Sequence, residues 1–144
     1  MTHRAESIMS TVLSTLTGLT TTGANVARNK TFAWDDAVTD ALNIIMEDDK
    51  PAGELSIPIL DFELGVAVEI HTKNATLETQ INKIKAEIIV ALMADYTLGL
   101  NYVVQIKELG FGAPVLSGEA EKPTAVCEGK FVIQYQRSYL TPEA

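Results

Sequence analysis

An α+β fold is what this chain of 144 residues predicts: a mostly antiparallel or mixed sheet with two helices packed on one face. Three observations carry that prediction. In "LDFELGVAVEIH", Leu60, Phe62, Leu64, Val66, Val68 and Ile70 alternate strictly with Asp61, Glu63, Gly65, Ala67, Glu69 and His71, the pattern of a strand with one face on a core. Two other segments carry apolar residues at helical spacing. The closing "KFVIQYQRSY" alternates again, with Phe131, Ile133, Tyr135 and Tyr139 on one side and Gln134, Gln136 and Ser138 on the other.

The elements follow in order. Ala5, Ile8, Met9, Val12, Leu13 and Leu16 make the stripe of a first helix, with Ser7, Ser10, Thr11, Ser14 and Thr15 opposite. So many hydroxyl side chains compete for backbone hydrogen bonds, so packing must hold this helix. His3 precedes it and is expected to fray. Gly18 stands where a glycine ends a helix in the left-handed conformation. A polar turn around Gly23 leads to a short strand near Asn25 to Arg28. "DALNIIM" (Asp40 to Met46) reads as a buried strand that ends in the charged loop "EDDKPAG". Leu55, Ile57 and Ile59 sit on the opposite parity to the long strand, which predicts a bulge or bend near Ile59-Leu60, beside Pro58.

Thr76 is placed to cap the second helix, with Glu78 in its first turn. Ile81, Ile84, Ile88, Ile89 and Leu92 form its stripe; Gln80, Lys83 and Glu87 lie outside, with Lys83 and Glu87 spaced as a helical pair. A strand at Tyr102 to Ile106 follows. "ELGFGAPVLSGEAEKPT" reads as a long loop, and the last strand starts as early as Ala125. With no repeat and no linker, residues 1–144 are expected to form one domain.

The charge of −8, from 19 acidic and 11 basic residues, argues against a groove that grips nucleic acid and against a polybasic membrane patch. The amino terminus lacks the continuous apolar core of a secretory signal, and no apolar run approaches membrane-spanning length. A lone Cys127 fits a reducing cytoplasm and excludes an internal disulfide. Cys127 and His71 are the one conceivable nucleophile and base; the plainer reading makes Cys127 a small buried hydrophobe and His71 a surface residue at a strand end. "GFGAP" has the G-x-G of a phosphate cradle without the strand and helix such a cradle needs. Glu47, Asp48 and Asp49 are together but lack calcium-loop spacing, so a solvated turn is expected rather than a metal site. Trp34 either pins its loop to the core or contacts a partner.

Taken together, "STLTGLTTTGANVARNK", "DALNIIMEDDKP" and "GKFVIQYQRSYLTPEA" resemble the tail-terminator family of long-tailed bacteriophages. The matching pieces are Leu19 to Arg28, Ala41 to Asp49, and Phe131 to Tyr135 with Thr141-Pro142. Each motif is short and degenerate, but together they cover most of the chain in order. Ala41 departs from the family, which often has a proline just before this strand. The resemblance implies a structural virion protein without catalytic residues or cofactors, assembled in the host cytoplasm. It would form a ring, usually of six copies, that caps the tail tube, ends its polymerisation and meets the head–tail connector. DNA would pass through without specific binding. Trp34 and Tyr139 are then the candidate subunit or partner contacts. Two alternatives stand beside this: another head–tail neck or completion protein, and a small ligand-binding or enzymatic domain with a pocket between helices and sheet.

Overall fold

The structure, a computed structural model, describes residues 3–30, 34, 37–52, 59–73, 76–117 and 124–138. The order of elements is α1 (Arg4–Leu16), β1 (Val26–Arg28), β2 (Asp40–Pro51), β3 (Ile59–Thr72), α2 (Leu77–Met93), β4 (Val103–Phe111), β5 (Val115–Ser117) and β6 (Thr124–Ser138). The strands form one mixed sheet in the order β1-β2-β3-β6-β4, with β5 also paired to β6. Among the described residues only β1 and β2 run parallel; the other pairs are antiparallel. The α+β prediction holds.

Both helices pack on the sheet face that carries Leu42, Ile44, the even residues of β3 and the odd residues of β6. From α1, Ile8, Met9, Val12 and Leu16 are fully buried there, and from α2, Ile81, Ile84, Ile88 and Leu92. These are the predicted stripes, with Leu13 and Ile89 only half-buried at their margins. His3 does not fray: its Nδ1 accepts a hydrogen bond from the Ala5 N–H at 2.9 Å and caps α1. Thr76 stands at the cap position of α2, yet its side chain makes no capping bond. After α1, Gly18 takes φ +91° and its N–H donates to the Gly23 carbonyl at 2.8 Å, closing a tight turn. Glu87 does not reach for Lys83. It accepts hydrogen bonds from the N–H and hydroxyl of Thr21 and ties that turn to α2.

The sheet differs from expectation at its margins. Residues 47–51, expected as loop, extend β2. Residues 108–111 extend β4, and 115–117 form β5, so most of the described part of the expected long loop lies in strands beside β6. Leu55, Ile57 and Pro58 lie outside the described residues. From Ile59 onward β3 pairs with β6 without a register break, so the bend expected at Ile59-Leu60 is absent there. Bulges lie elsewhere: in β2, Met46 opposes Val66 and Asp49 opposes Leu64, so Glu47 and Asp48 share the place opposite Gly65, and in β4 the pairing with β6 shifts at Val104 and at Leu109.

Two glycines permit close approaches. A Cβ at Gly65 would lie 2.3 Å from the Asp48 Oδ1, and one at Gly129 would lie 2.3 Å from the Phe111 ring. Asp48 is exposed and swings away at little cost. Phe111 is held edge-on against Phe131, with centroids 6.0 Å apart, and has core neighbours to lose. Gly65→Ala is therefore expected to change stability by less than about 0.5 kcal/mol, and Gly129→Ala to cost about 1–3 kcal/mol. Urea denaturation of the two variants checks the contrast; equal effects would refute it.

Candidate assembly surfaces

The residues that first suggest catalysis do not meet. Cys127 pairs with Ile70 and points into the core, fully buried, its thiol donating to the Gly112 carbonyl at 3.3 Å. His71 is the next residue along β3 and faces the other side of the sheet. Burial pushes the Cys127 thiol up, against a smaller lowering by Lys85, which keeps it from acting as a thiolate. Tyr135 is pushed up too, first by burial and then by Asp49, whose carboxylate accepts its hydroxyl at 2.8 and 3.0 Å. Eight residues of extended strand, roughly 27 Å, separate Tyr135 from Cys127.

The acidic run diverges rather than converging on an ion. Glu47 lies 3.4 Å from the Lys130 ammonium, Asp48 pairs with Lys50 at 3.5 Å, and Asp49 turns to the opposite face to meet Tyr135. Among the described residues no group of acids, histidines and cysteine has metal-binding geometry. "GFGAP" spans the end of β4 and a turn; β5, not a helix, follows it.

Trp34 is half-buried and outside the core cluster. The Lys30 ammonium sits 4.7 Å over its ring. It lines a cleft of about 400 Å³ with Ala41, His71, Lys73 and Val126, at the end of the sheet face turned away from the helices. Anchorage in the core is thus not its role; it covers part of the outer face. Nearby, the Asn43 side chain donates to Glu69 and to the Lys30 carbonyl and accepts from the Lys30 N–H, which holds Lys30 against that face. Tyr139 lies outside the described residues.

The outer face and the edges of the sheet carry what sequence reasoning missed. The outer face is polar, with Glu63, Glu69, Glu128 and Lys130 on β3 and β6, but its middle is closed by the small Gly65 and Ala67. Met46 on β2 is 45% exposed, and on β4 and β5, Val104, Leu109, Val115 and Leu116 are 43% to 70% exposed. One signal could have revealed the longer strands. A strand as long as "LDFELGVAVEIH" needs partners of similar length on both sides to satisfy its backbone. At the opposite surface, Arg28 holds β1 to α1 through a bidentate pair with Glu6 at 2.7 and 3.0 Å. That hydrogen bond lowers the Glu6 carboxyl and raises Arg28.

Among the described residues no helix is long and apolar enough to cross a membrane. Compared with protein-family models and with curated proteins, the chain finds no match in either.

Proposed function

We propose that this protein is a structural part of a long-tailed phage virion, a tail terminator whose copies form a ring, about six, on the head-proximal end of the tail tube. The ring ends tube polymerisation and offers the surface on which the head–tail connector sits. The reading rests on the resemblance carried by Leu19 to Arg28, Ala41 to Asp49 and Phe131 to Tyr135. It is supported by the position of those segments in the fold: the first contains β1, the second lies within its partner β2, and the third lies in β6 of the same sheet. It is supported also by the exposed apolar residues at the sheet margins, which are surfaces suited to another protein.

The acidic balance suits a ring through which DNA passes unheld, since phosphate affinity depends on basic side chains. Trp34 is a candidate contact, half-buried beside an open cleft; Tyr139 is the other.

Light scattering across a concentration series is the test. The expected result is a step from one subunit to about six, the closed rotational assembly. If the protein remains monomeric, purified tail tubes are added and their ends imaged. Tubes that stay uncapped and grow normally would remove this reading.

A further inference from the structure

We propose that copies of this chain join edge to edge, the far half of β2 (Met46–Pro51) in one copy adding as a strand to the outer edge of β4 in the next. This rests on the ring reading above and names the two surfaces that close the ring.

Among the described residues both edges are open. β1 covers β2 only to the pair Arg28–Ile44, with one further bond from the Asn29 N–H to the Ile44 carbonyl at 3.0 Å. Beyond Ile44, that side of β2 has no partner strand among the described residues. At the other end of the sheet, the outer side of β4 has none either. Exposed backbone donors and acceptors of this kind are a template for pairing with another chain.

A second copy fits these edges. The strands β2, β3, β6 and β4 alternate in direction. A copy related by rotation about an axis along the strands therefore brings its β4 beside β2 in antiparallel sense, and the sheet continues unbroken. The free half of β2 offers Met46–Pro51, with its bulge at Glu47-Asp48 and no N–H at Pro51; β4 bulges at Val104 and Leu109, so the regular edge it presents is Gln105–Glu108, roughly 13 Å. β1 blocks pairing any further toward Asp40, which limits the register.

The side chains agree. Met46 at one edge and Val104 and Leu109 at the other are large exposed apolar groups that such a contact would cover. Glu47 and Asp48 lie on the outer face opposite Gly65. Lys107 opposes Val132 and so shares that face, and it makes no ion pair among the described residues. Glu47 and Asp48 already face Lys130 and Lys50 of their own chain at 3.4 and 3.5 Å, with Glu128 also beside Lys130. Three carboxylates thus share two ammonium groups there, and Lys107 of a neighbour would supply a third on the same side of the sheet. Contacts between two different patches of one chain are head to tail, and a rotation that closes them makes a ring.

The test is a chain carrying both Asp48→Cys and Lys107→Cys. Within one copy these positions are three strand spacings apart, about 14 Å, beyond the roughly 7 Å a disulfide tolerates between Cα atoms. Oxidation is expected to give a ladder of covalent multimers ending at the size found by light scattering, and reductant to collapse it. Each single variant should form no disulfide across the contact, because position 48 meets position 107 of the neighbour and not itself. Native circular dichroism excludes misfolding, and Lys107→Glu supplies a second reading: association should move to at least about tenfold higher concentration. Multimers by light scattering with no ladder and no effect of Lys107→Glu would overturn the edge contact and leave the ring standing. A protein that stays monomeric and forms no ladder, even with tail tubes added, would overturn both.

Discussion

Tyr135→Ala is expected to destabilise the protein by about 3–5 kcal/mol, the range for removing a buried aromatic side chain. Tyr135 is fully buried at the end of the sheet where Phe62 and Arg137 meet. Its ring centroid lies 6.0 Å from that of Phe62, over which the Arg137 guanidinium sits at 4.0 Å. Truncation would empty this corner and leave Arg137 over a loosened Phe62. Tyr135→Phe separates the hydroxyl from the ring. Its loss should cost only about 0.5–1.5 kcal/mol, because the exposed Asp49 carboxylate returns to water. The phenol also sets an alkaline limit. Its folded pKa is raised by burial and by Asp49, so the fold keeps the proton that the unfolded chain gives up near pH 10. Stability is whole below that pH and falls as pH rises above it. Tyr135→Phe should flatten this alkaline fall in urea midpoints measured from pH 8 upward; an unchanged slope would assign it to other groups.

Ile8→Ala is the second large effect, expected to cost about 2–5 kcal/mol. Ile8 is fully buried between α1 and the sheet. The helix around it has little stability of its own. Thr11 and Thr15 spend their hydroxyls on the carbonyls of Ser7 and Thr11 at 2.8 Å, and Ser14 on that of Ser10 at 3.1 Å. Back-bonding of this kind adds nothing to helix formation. Packing through Ile8, Met9, Val12 and Leu16 holds α1, so weakening it releases the helix itself. On the exposed side the sign reverses: Ser14→Ala should gain a few tenths of a kcal/mol, because alanine is the better helix former. Denaturation midpoints read both. Equal losses at Ile8 and Ser14 would mean that propensity, not packing, governs α1.

The elements with one buried face were legible in the chain. Alternation marked β3 and β6, strict in the first and broken by Val132 and Arg137 in the second, and the isoleucine stripe marked α2, because burial against the chain's own core imposes period 2 or 3.6 on residue choice. The turn through Gly18 was legible too, since a positive φ selects glycine. The stretch Glu47–Pro51 was not: it is a strand exposed beyond the reach of the helices, so nothing forced an apolar residue into every second place. β4 past Ile106 and β5 were hidden for the same reason, at the sheet margin among glycines and charges.

Contacts distant in sequence were settled only by folding. The bulge at Glu47-Asp48 depends on Gly65 in the neighbouring strand, and the room for Phe111 depends on Gly129. Glu87 holds Thr21, sixty-six residues away, rather than Lys83 one turn away. His71 and Cys127 are parted by the pleat, which sends adjacent positions to opposite faces. What the sequence by itself determined is the set of elements that bury a face, and through resemblance the family to test. Tertiary structure decided register, bulges and which edges stay open, because each depends on the residue that arrives opposite, and a pattern read along one strand carries no record of its partner.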